Sequence, residues 1–508
     1  MLEHEPAVAR AGRMTVYELF SSRAQMAPEA VAIDAPDRRL TYRDFDEEVR
    51  RVAGALVARG LVRGDRIALL SENRAEYVVL EMAAAMRGFI VACQNWRLSP
   101  EELTHCVNLV APKLLIVSAR FQALAAQCEV GTVPQLVLEQ DYAALAAHPE
   151  TEADPAVDPE DGLVILYTSG TTGRPKGALI SQRAEIARMA AMRLDIRADE
   201  GDASLAWAPM FHMGSTDQML GALMSGAPVI VCDGPDAKRI VQKSGEYKLA
   251  WYLLMPGMME PVIDEYKRTG IKPKGARAVG AMADLVPLAQ IAEVTSLVGA
   301  PFYNTFGATE TGLPPCSAVL IPPGTIPQNL SKRQSSLCSI RLIDSDGQTV
   351  PDGQPGEMAI RGPTVFSGYW NAPETNARDF KDGWFRMGDL FRRNPDGSYD
   401  FVDRAKYMIK SGGENIYPAE IERVLLADPR IADAAIVRKK DPKWGEVPVA
   451  FVAARDQSLS AADIEALCRA KLAGYKRPKE VRFIAFEEFP RSTTGKIQRH
   501  AMEAWLTS

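Results

Sequence analysis

The ten residues Thr168–Gly177, TSGTTGRPKG, gather hydroxyls, three glycines and two cations into one short stretch. Glycines open backbone N–H groups to an approaching anion. Ser169, Thr171 and Thr172 add hydroxyl donors, and Lys176 adds charge, which together is the chemistry of a phosphate cradle. A Walker loop needs its Lys followed by Ser or Thr at the head of a helix. Here Gly177 follows Lys176, and Ala178-Leu179-Ile180 reads as a second strand after the buried run Leu163–Tyr167. The expected element is therefore strand–loop–strand. Other candidates for chemistry stand in FGATETG (306–312), WFRMGDL (384–390), APMFHMGST (208–216) and PRSTTGKIQR (490–499). The TGK string before Ile497 is no Walker loop either.

The elements that must position these residues alternate between strand and helix. TVYELFSSRAQMAP has helical spacing and stops at Pro28. YRDFDEEVRRVAGALVARGL puts Phe45, Val49, Val52, Leu56 and Val57 on one helical stripe, with Gly60 at its C-terminal end. RIALLS, KLLIVS, GAPVIVCD and ARAVGAM read as buried strands, and AEYVVLEMAAAMRG as a helix between two of them. This alternation predicts an α/β fold of mainly parallel sheets. From about Pro323 to Tyr399, short alternating runs such as SIRLIDSDG and GEMAIRG are punctuated by Gly, Pro and Asp, which predicts a β-rich, antiparallel subdomain. From about Asp403 the texture becomes α+β. PAEIERVLLADP is a helix with Pro418 in its first turn, ADAAIVRK, VPVAFVAA and VRFIAF are strands, and SAADIEALCRAKLAG is a helix with a Ser460/Asp463 capping box and Gly474 at its end.

A chain of 508 residues exceeds one ordinary domain. Its net charge of -6 supplies no global basic field, so nucleic acid is not an expected partner. No apolar run reaches the length of a transmembrane helix, and the acidic start MLEHEP does not read as a signal peptide. Seven scattered cysteines without a CxxC pair fit free thiols in a reducing cytoplasm, and five dispersed histidines suggest no metal cluster.

The motifs YTSGTTGRPKG, FGATETG, WFRMGDL, FVDRAKYMIKSGGENIYPAEIE (401–422) and PRSTTGKIQR, in this order, resemble the signatures of adenylate-forming enzymes. That superfamily holds acyl-CoA synthetases, firefly luciferase and peptide-synthetase adenylation domains. The resemblance runs from about Thr15 to Ala501 and is nearest to bacterial fatty-acid and aryl-acid CoA ligases. It implies a large domain, 1–402, that binds ATP and the acyl group, a hinge at 403–406, and a small mobile α+β domain, 407–508. It also implies a two-step reaction. A carboxylate attacks the α-phosphate of ATP to give acyl-AMP and pyrophosphate, and the thiol of CoA then displaces AMP. Positioning and charge neutralisation dominate such phosphoryl chemistry.

By the same resemblance, Thr168, Ser169, Gly170, Thr171, Thr172, Gly173 and Lys176 cradle the phosphates, Thr309 touches a phosphate oxygen, and Glu310 is the Mg²⁺ ligand. Tyr303 and Phe306 flank the adenine, Asp389 accepts the ribose hydroxyls, and Arg404 contacts ribose or phosphate. Lys406 is the hinge residue, and Lys496 reaches the α-phosphate and the attacking carboxylate. His212 borders the acyl carboxylate, where amino-acid-activating relatives carry Asp. Gly412 and Gly413, within SGGEN, line the pantetheine path. Trp444 stacks on the CoA adenine, and Arg97, Lys476, Arg477 and Lys479 meet the CoA phosphates. The sequence departs from the pattern at Gly280-Ala281-Met282-Ala283-Asp284, where a glycine pair before Ala-Pro is usual, so the pocket there is expected to differ. The expected substrate is a fatty, alicyclic or aromatic monocarboxylic acid. Two alternatives stay open, an acyl-AMP ligase loading a carrier protein and a non-catalytic nucleotide- or acyl-binding relative. The oligomeric state, homodimer included, is open as well.

Overall fold

The structure is a computed structural model that describes residues 10–168, 174–255, 257–412, 414–455, 458–491 and 497–506. The chain divides into two compact units, Met1–Ile340 with Ile360–Phe385, and Arg341–Ala359 with Arg386–Ser508.

Among its described residues the first unit has three sheets of four or more strands. The largest has six strands in the order Gln135–Val137, Leu114–Val117, Arg66–Leu70, Ile90–Cys93, Gly162–Thr168, Lys176–Ser181. All neighbours are parallel except the last pair. Apart from Arg66 at one end, the sequences RIALL, IVAC and LLIV are apolar because both faces of a parallel sheet are covered. The helix Tyr42–Ala58 starts in a Thr41/Asp44 capping box and buries Phe45, Val49, Val52 and Leu56, while Val57 is only half-buried. The helix Ala75–Arg87 ends at Gly88 in the left-handed conformation. A second sheet pairs Leu249–Tyr252, Ala276–Val279 and Phe302–Tyr303 in parallel and adds Leu320–Ile321 antiparallel. A third runs Arg39–Thr41, Val31–Asp34, Val229–Val231, Ser204–Ala206.

In the second unit, Trp384–Arg393 and Tyr399–Arg404 pair antiparallel. The α+β part is centred on Ile431–Asp441 and Gly445–Ala454, antiparallel along their length, with Glu480–Phe483 parallel to the latter. The period-two alternation sorts their side chains onto two faces. Ala434, Ile436, Ala450 and Val452 pack with Ile421, Leu425, Ile464 and Cys468 of the helices Pro418–Leu426 and Ala461–Lys471. Ala435, Val437, Val449 and Phe451 pack with Met502 of the helix Arg499–Ala504.

Two expected ends differ. The helix Ala461–Lys471 stops three residues before Gly474, because Leu472 is already extended while its N–H still reaches the Cys468 carbonyl. The strand in VRFIAF ends at Phe483, and Phe486 begins a short 3-10 turn. The seven cysteines are free thiols, five of them buried. Among the described residues no helix is long and apolar enough to cross a membrane.

Candidate active site

The opening loop joins the strands Gly162–Thr168 and Lys176–Ser181, as its sequence predicts. Thr168 and Lys176 face each other across the pair. Ser169, Gly170, Thr171, Thr172 and Gly173 lie outside the described residues. The segment 367–370 runs along the free edge of the second strand. Its Ser367 N–H donates to the Leu179 carbonyl, Leu179 N–H to Gly368, and Trp370 N–H to Gly177. That contact brings Tyr369, absent from the expected set, beside Lys176. The Lys176 Nζ sits 4.3 Å from the Tyr369 ring centroid, and the Tyr369 hydroxyl donates to Glu310 Oε1 at 2.7 Å. Burial, reinforced by the Glu310 carboxylate, raises the Tyr369 pKa, so the hydroxyl keeps its proton and donates.

Glu310 and Thr309 stand on the turn between the short strands Gly307–Ala308 and Gly312–Pro315. The turn is tight enough that a Cβ on Gly307 would lie 1.9 Å from the Gly312 carbonyl oxygen. Thr309 and Glu310 are both half-buried. With Oε1 taken by Tyr369, Glu310 has Oε2 for a cation. A single carboxylate completed by phosphate oxygens and water suits magnesium, which uses one or two protein carboxylates. Among the described residues no cluster of three or more acidic, His or Cys side chains offers an all-protein metal cage.

Phe306, just before this turn, is nearly buried, its N–H bonded to Ser317 Oγ at 3.0 Å. Tyr303 has no exposed surface. Its ring meets Trp251 edge-on at 5.6 Å, and its hydroxyl has no hydrogen-bond partner among the described residues. Tyr303 is thus a core residue here, and of the two expected aromatics Phe306 is the one beside the turn.

His212 caps the helix Met213–Met224. Its Nδ1 accepts the Gly214 N–H at 3.1 Å, so a neutral imidazole carries its proton on Nε2 and presents a donor there. Beside it, Phe211 meets Trp96 edge-on at 5.8 Å, and Trp96 stacks on Phe121 at 5.3 Å. The Arg97 guanidinium lies over Trp96 at 4.9 Å and within 6.0 Å of Phe211. Burial lowers its pKa from the ordinary arginine value.

The departure at 280–284 has a structural partner that the sequence reading missed. Met282 takes the left-handed conformation, with its N–H on Thr305 Oγ1 at 3.1 Å. Asp284 accepts from Lys332 Nζ at 2.5 Å, and Lys332 also donates to Asn304 Oδ1 at 2.6 Å. Lys332 is wholly buried. The unusual Asp at 284 is the half-buried member of an ion pair whose buried lysine comes 48 residues later.

In the second unit, Asp389 and Arg404 are register partners on neighbouring strands, and Arg404 Nε donates to Asp389 Oδ1 at 3.0 Å. Asp389 is buried while the Arg404 side chain is 42% exposed, so the arginine can turn towards a ligand. Asp403 accepts the N–H groups of Ala419 and Arg404, and burial pushes its pKa up to about 6. Lys406 lies in a 3-10 turn with its Nζ 4.8 Å over the Tyr407 ring. Arg499 covers the same ring at 4.6 Å and forks onto Glu422.

Gly412 is left-handed, and a Cβ there would come 2.7 Å from the ring of Trp444, a residue 44% exposed. Gly413 and Lys496 lie outside the described residues. Two of the cations expected to meet CoA are engaged within the chain. Lys476 pairs with Glu420 at 2.7 Å, and Arg477 donates to the Leu472 and Arg469 carbonyls.

Residues 20–370 match the AMP-binding enzyme family, and residues 420–496 match the AMP-binding enzyme C-terminal domain. The chain belongs to the AMP-binding enzyme family. It is 35% identical over 501 residues to an indoleacetate–CoA ligase of Aromatoleum aromaticum, covering 96% of this chain and 97% of that one. Among solved structures it is similar to o-succinylbenzoate CoA synthetase of Bacillus subtilis. The complex of that enzyme with its acyl-adenylate intermediate superposes with a TM-score of 0.84 at 26% identity, over 97% of this chain and 98% of the other. The complex with ATP and a magnesium ion gives 0.83 at 26% identity, over 95% and 98%. The large α/β domain and small C-terminal domain of this AMP-binding enzyme are those of the family.

Proposed function

We propose that this AMP-binding enzyme is an ATP- and Mg²⁺-dependent carboxylic acid–CoA ligase, and that its acid is an aromatic monocarboxylate. The observation that carries the reaction is the approach of Lys176 and Glu310 to opposite parts of one tyrosine, which sets a cation and a metal-binding carboxylate beside one phosphate loop. The aromatic preference rests on the named relatives, an indoleacetate and an o-succinylbenzoate ligase, and on Phe211, the chain neighbour of His212, with the rings of Trp96 and Phe121 in series behind it.

In this reading the phosphate loop and Lys176 hold the triphosphate by N–H, hydroxyl and ammonium donors. When bound at Glu310, Mg²⁺ neutralises the phosphate charge that an attacking carboxylate must approach. His212 donates from Nε2 to the acid's carboxylate and keeps it aimed. Phe306 lies against the adenine, Asp389 accepts the ribose hydroxyls, and Arg404, released from Asp389, contacts ribose or phosphate. Lys496 reaches the α-phosphate and the acid during adenylation. The small domain then turns at 403–406 about Lys406, and the path beside Gly412 and Gly413 admits the pantetheine thiol, with Trp444 stacked on the CoA adenine. Lys476 and Arg477 reach CoA phosphates only by giving up their present partners. Consumption of ATP and free CoA, together with seven free cysteines, supports a cytoplasmic enzyme.

The test is AMP and thioester formation from ATP, MgCl₂ and CoA with indole-3-acetate, phenylacetate, benzoate, cyclohexanecarboxylate, o-succinylbenzoate and octanoate. Joint appearance of both products with an optimum on an aromatic monocarboxylate is expected. Pyrophosphate release with no thioester from any acid would overturn CoA as acceptor, and an optimum on octanoate would overturn the aromatic assignment.

A further inference from the structure

Two side chains outside the expected set converge on the Thr309–Glu310 turn from different elements. Tyr369 is the first. Its backbone is fixed twice by Asn376, which accepts the Tyr369 N–H at 2.8 Å and donates to its carbonyl at 2.9 Å. The edge of Phe366 packs on its ring at 4.9 Å, and Phe366 N–H donates to the Glu310 carbonyl at 2.8 Å. The direction of the hydroxyl is thus set by the main chain of a segment that already pairs with the phosphate-loop strand.

Arg188 is the second. It lies on the helix Gln182–Ile196 and is 3% exposed. Nη2 donates to the Thr309 carbonyl at 2.9 Å, Nε to the Thr364 carbonyl at 3.1 Å, and Nη1 to Asp217 at 3.3–3.4 Å. Its stem runs where a Cβ on Gly312 would sit, 2.8 Å from Cγ and Cδ. Burying a guanidinium is costly unless its donors are used. Two buried carboxyl groups, Glu185 and Glu81, lie in the same region. Glu185 has neither oxygen hydrogen-bonded among the described residues, and burial raises both pKa values. The guanidinium is directed at two main-chain carbonyls and Asp217 and leaves Glu185 without a hydrogen bond. A planar fork with its donors spread over three nitrogens serves those three elements at once, whereas an ammonium presents its three donors from a single atom.

We propose that Tyr369 and Arg188 are positioning residues for the Glu310 carboxylate. Tyr369 holds Oε1 so that Oε2 faces the cation, and Arg188 fixes the preceding carbonyl of Thr309 and ties the turn to the segment that carries Tyr369. The proposal rests on the reading of Glu310 as the magnesium ligand.

The test is calorimetric titration of ATP into the full chain across a series of MgCl₂ concentrations, without any acid, for the native protein, Tyr369→Phe, Arg188→Lys and Glu310→Gln, with thermal unfolding of each. Tyr369→Phe removes one atom and keeps the ring under Lys176. It is expected to raise the Mg²⁺ concentration giving the half-maximal gain in ATP affinity by about tenfold, the scale of one hydrogen bond to a charged group, and to leave Mg²⁺-free ATP affinity unchanged. Arg188→Lys is expected to shift the midpoint in the same direction by a smaller factor. An unmoved midpoint in Tyr369→Phe, or an equal loss of affinity with and without Mg²⁺, overturns the positioning role of Tyr369; an unmoved midpoint in a folded Arg188→Lys overturns that of Arg188. Glu310→Gln separates the two levels. If it keeps the native Mg²⁺ dependence, the metal assignment fails and the proposal with it. If it loses that dependence while Tyr369→Phe does not shift it, the positioning proposal alone fails.

Discussion

Replacing Lys332 by Met tests whether the departure at 280–284 is a built feature. Lys332 is wholly buried, with two side-chain acceptors, Asp284 at 2.5 Å and Asn304 at 2.6 Å. The methionine fills a similar volume and removes both donors. The Asp284 side chain keeps 18% of its surface exposed, so its orphaned charge belongs at the low end of the range for breaking a buried pair, about 3 kcal/mol. The orphaned Asn304 carbonyl adds about 1 kcal/mol. The sum is about 4 kcal/mol for Lys332→Met. Removing the second charge as well, in Lys332→Met/Asp284→Leu, replaces the pair by apolar groups, which is often neutral, and is expected to restore stability to within about 1 kcal/mol of native. Urea unfolding followed by tryptophan fluorescence measures both, because Trp251 lies in the core beside this loop, its Nε1 bonded to the Gly280 carbonyl. The single variant should also raise the KM for the acid, since the loop loses its anchor. A single variant within 1 kcal/mol of native, or a double variant no more stable than the single, would show that the pair does not hold this loop.

Gly307→Ala places a Cβ 1.9 Å from the Gly312 carbonyl oxygen and must open the turn that carries Glu310; pyrophosphate release is expected to fall by about 100-fold, the cost of roughly 1 Å of misplacement, and a rate within threefold of native would refute this. His212→Ala loses a helix cap, about 1 kcal/mol, and the Nε2 donor, so both stability and the KM for the acid should suffer. His212→Asp restores the cap and, ionised, offers no donor, and recovery of KM along with stability would count against a role in holding the acid. Asp403 is raised to about 6 against an unfolded value of about 3.9. Its folded form holds a proton that its unfolded form has lost, so its contribution falls as pH rises from about 4 to about 6, by about 3 kcal/mol in all. Asp403→Asn should therefore flatten the fall in melting temperature between pH 4.5 and 7, and an unchanged slope would sink the assignment.

Much of the fold was legible in residue patterns because it depends on neighbours in sequence. The apolar runs RIALL, IVAC and LLIV became interior strands, and Ser460 and Asp463 closed the capping box their spacing announces. The helix after Ser460 ended before Gly474 because backbone geometry at Leu472, which no residue type flags, had already turned extended. Tyr369 carried no local signal of its place beside Lys176. An aromatic residue in SGYW reads as core until strand pairing sets it beside Lys176.

The sequence by itself determined the family, the order of the motifs and the strand–loop–strand setting of TSGTTGRPKG, because these depend on residue type and short spacing. Tertiary structure alone decided that Tyr303 is core, that Lys476 is engaged by Glu420, and that Asp284 answers Lys332. It alone brought Arg188 and Tyr369 to the Glu310 turn, across separations of 121 and 59 residues. The physical reason is common to all of these. A buried charge or hydroxyl is tolerated where a partner meets it, and which partner meets it is set by chain crossings that residue spacing does not encode.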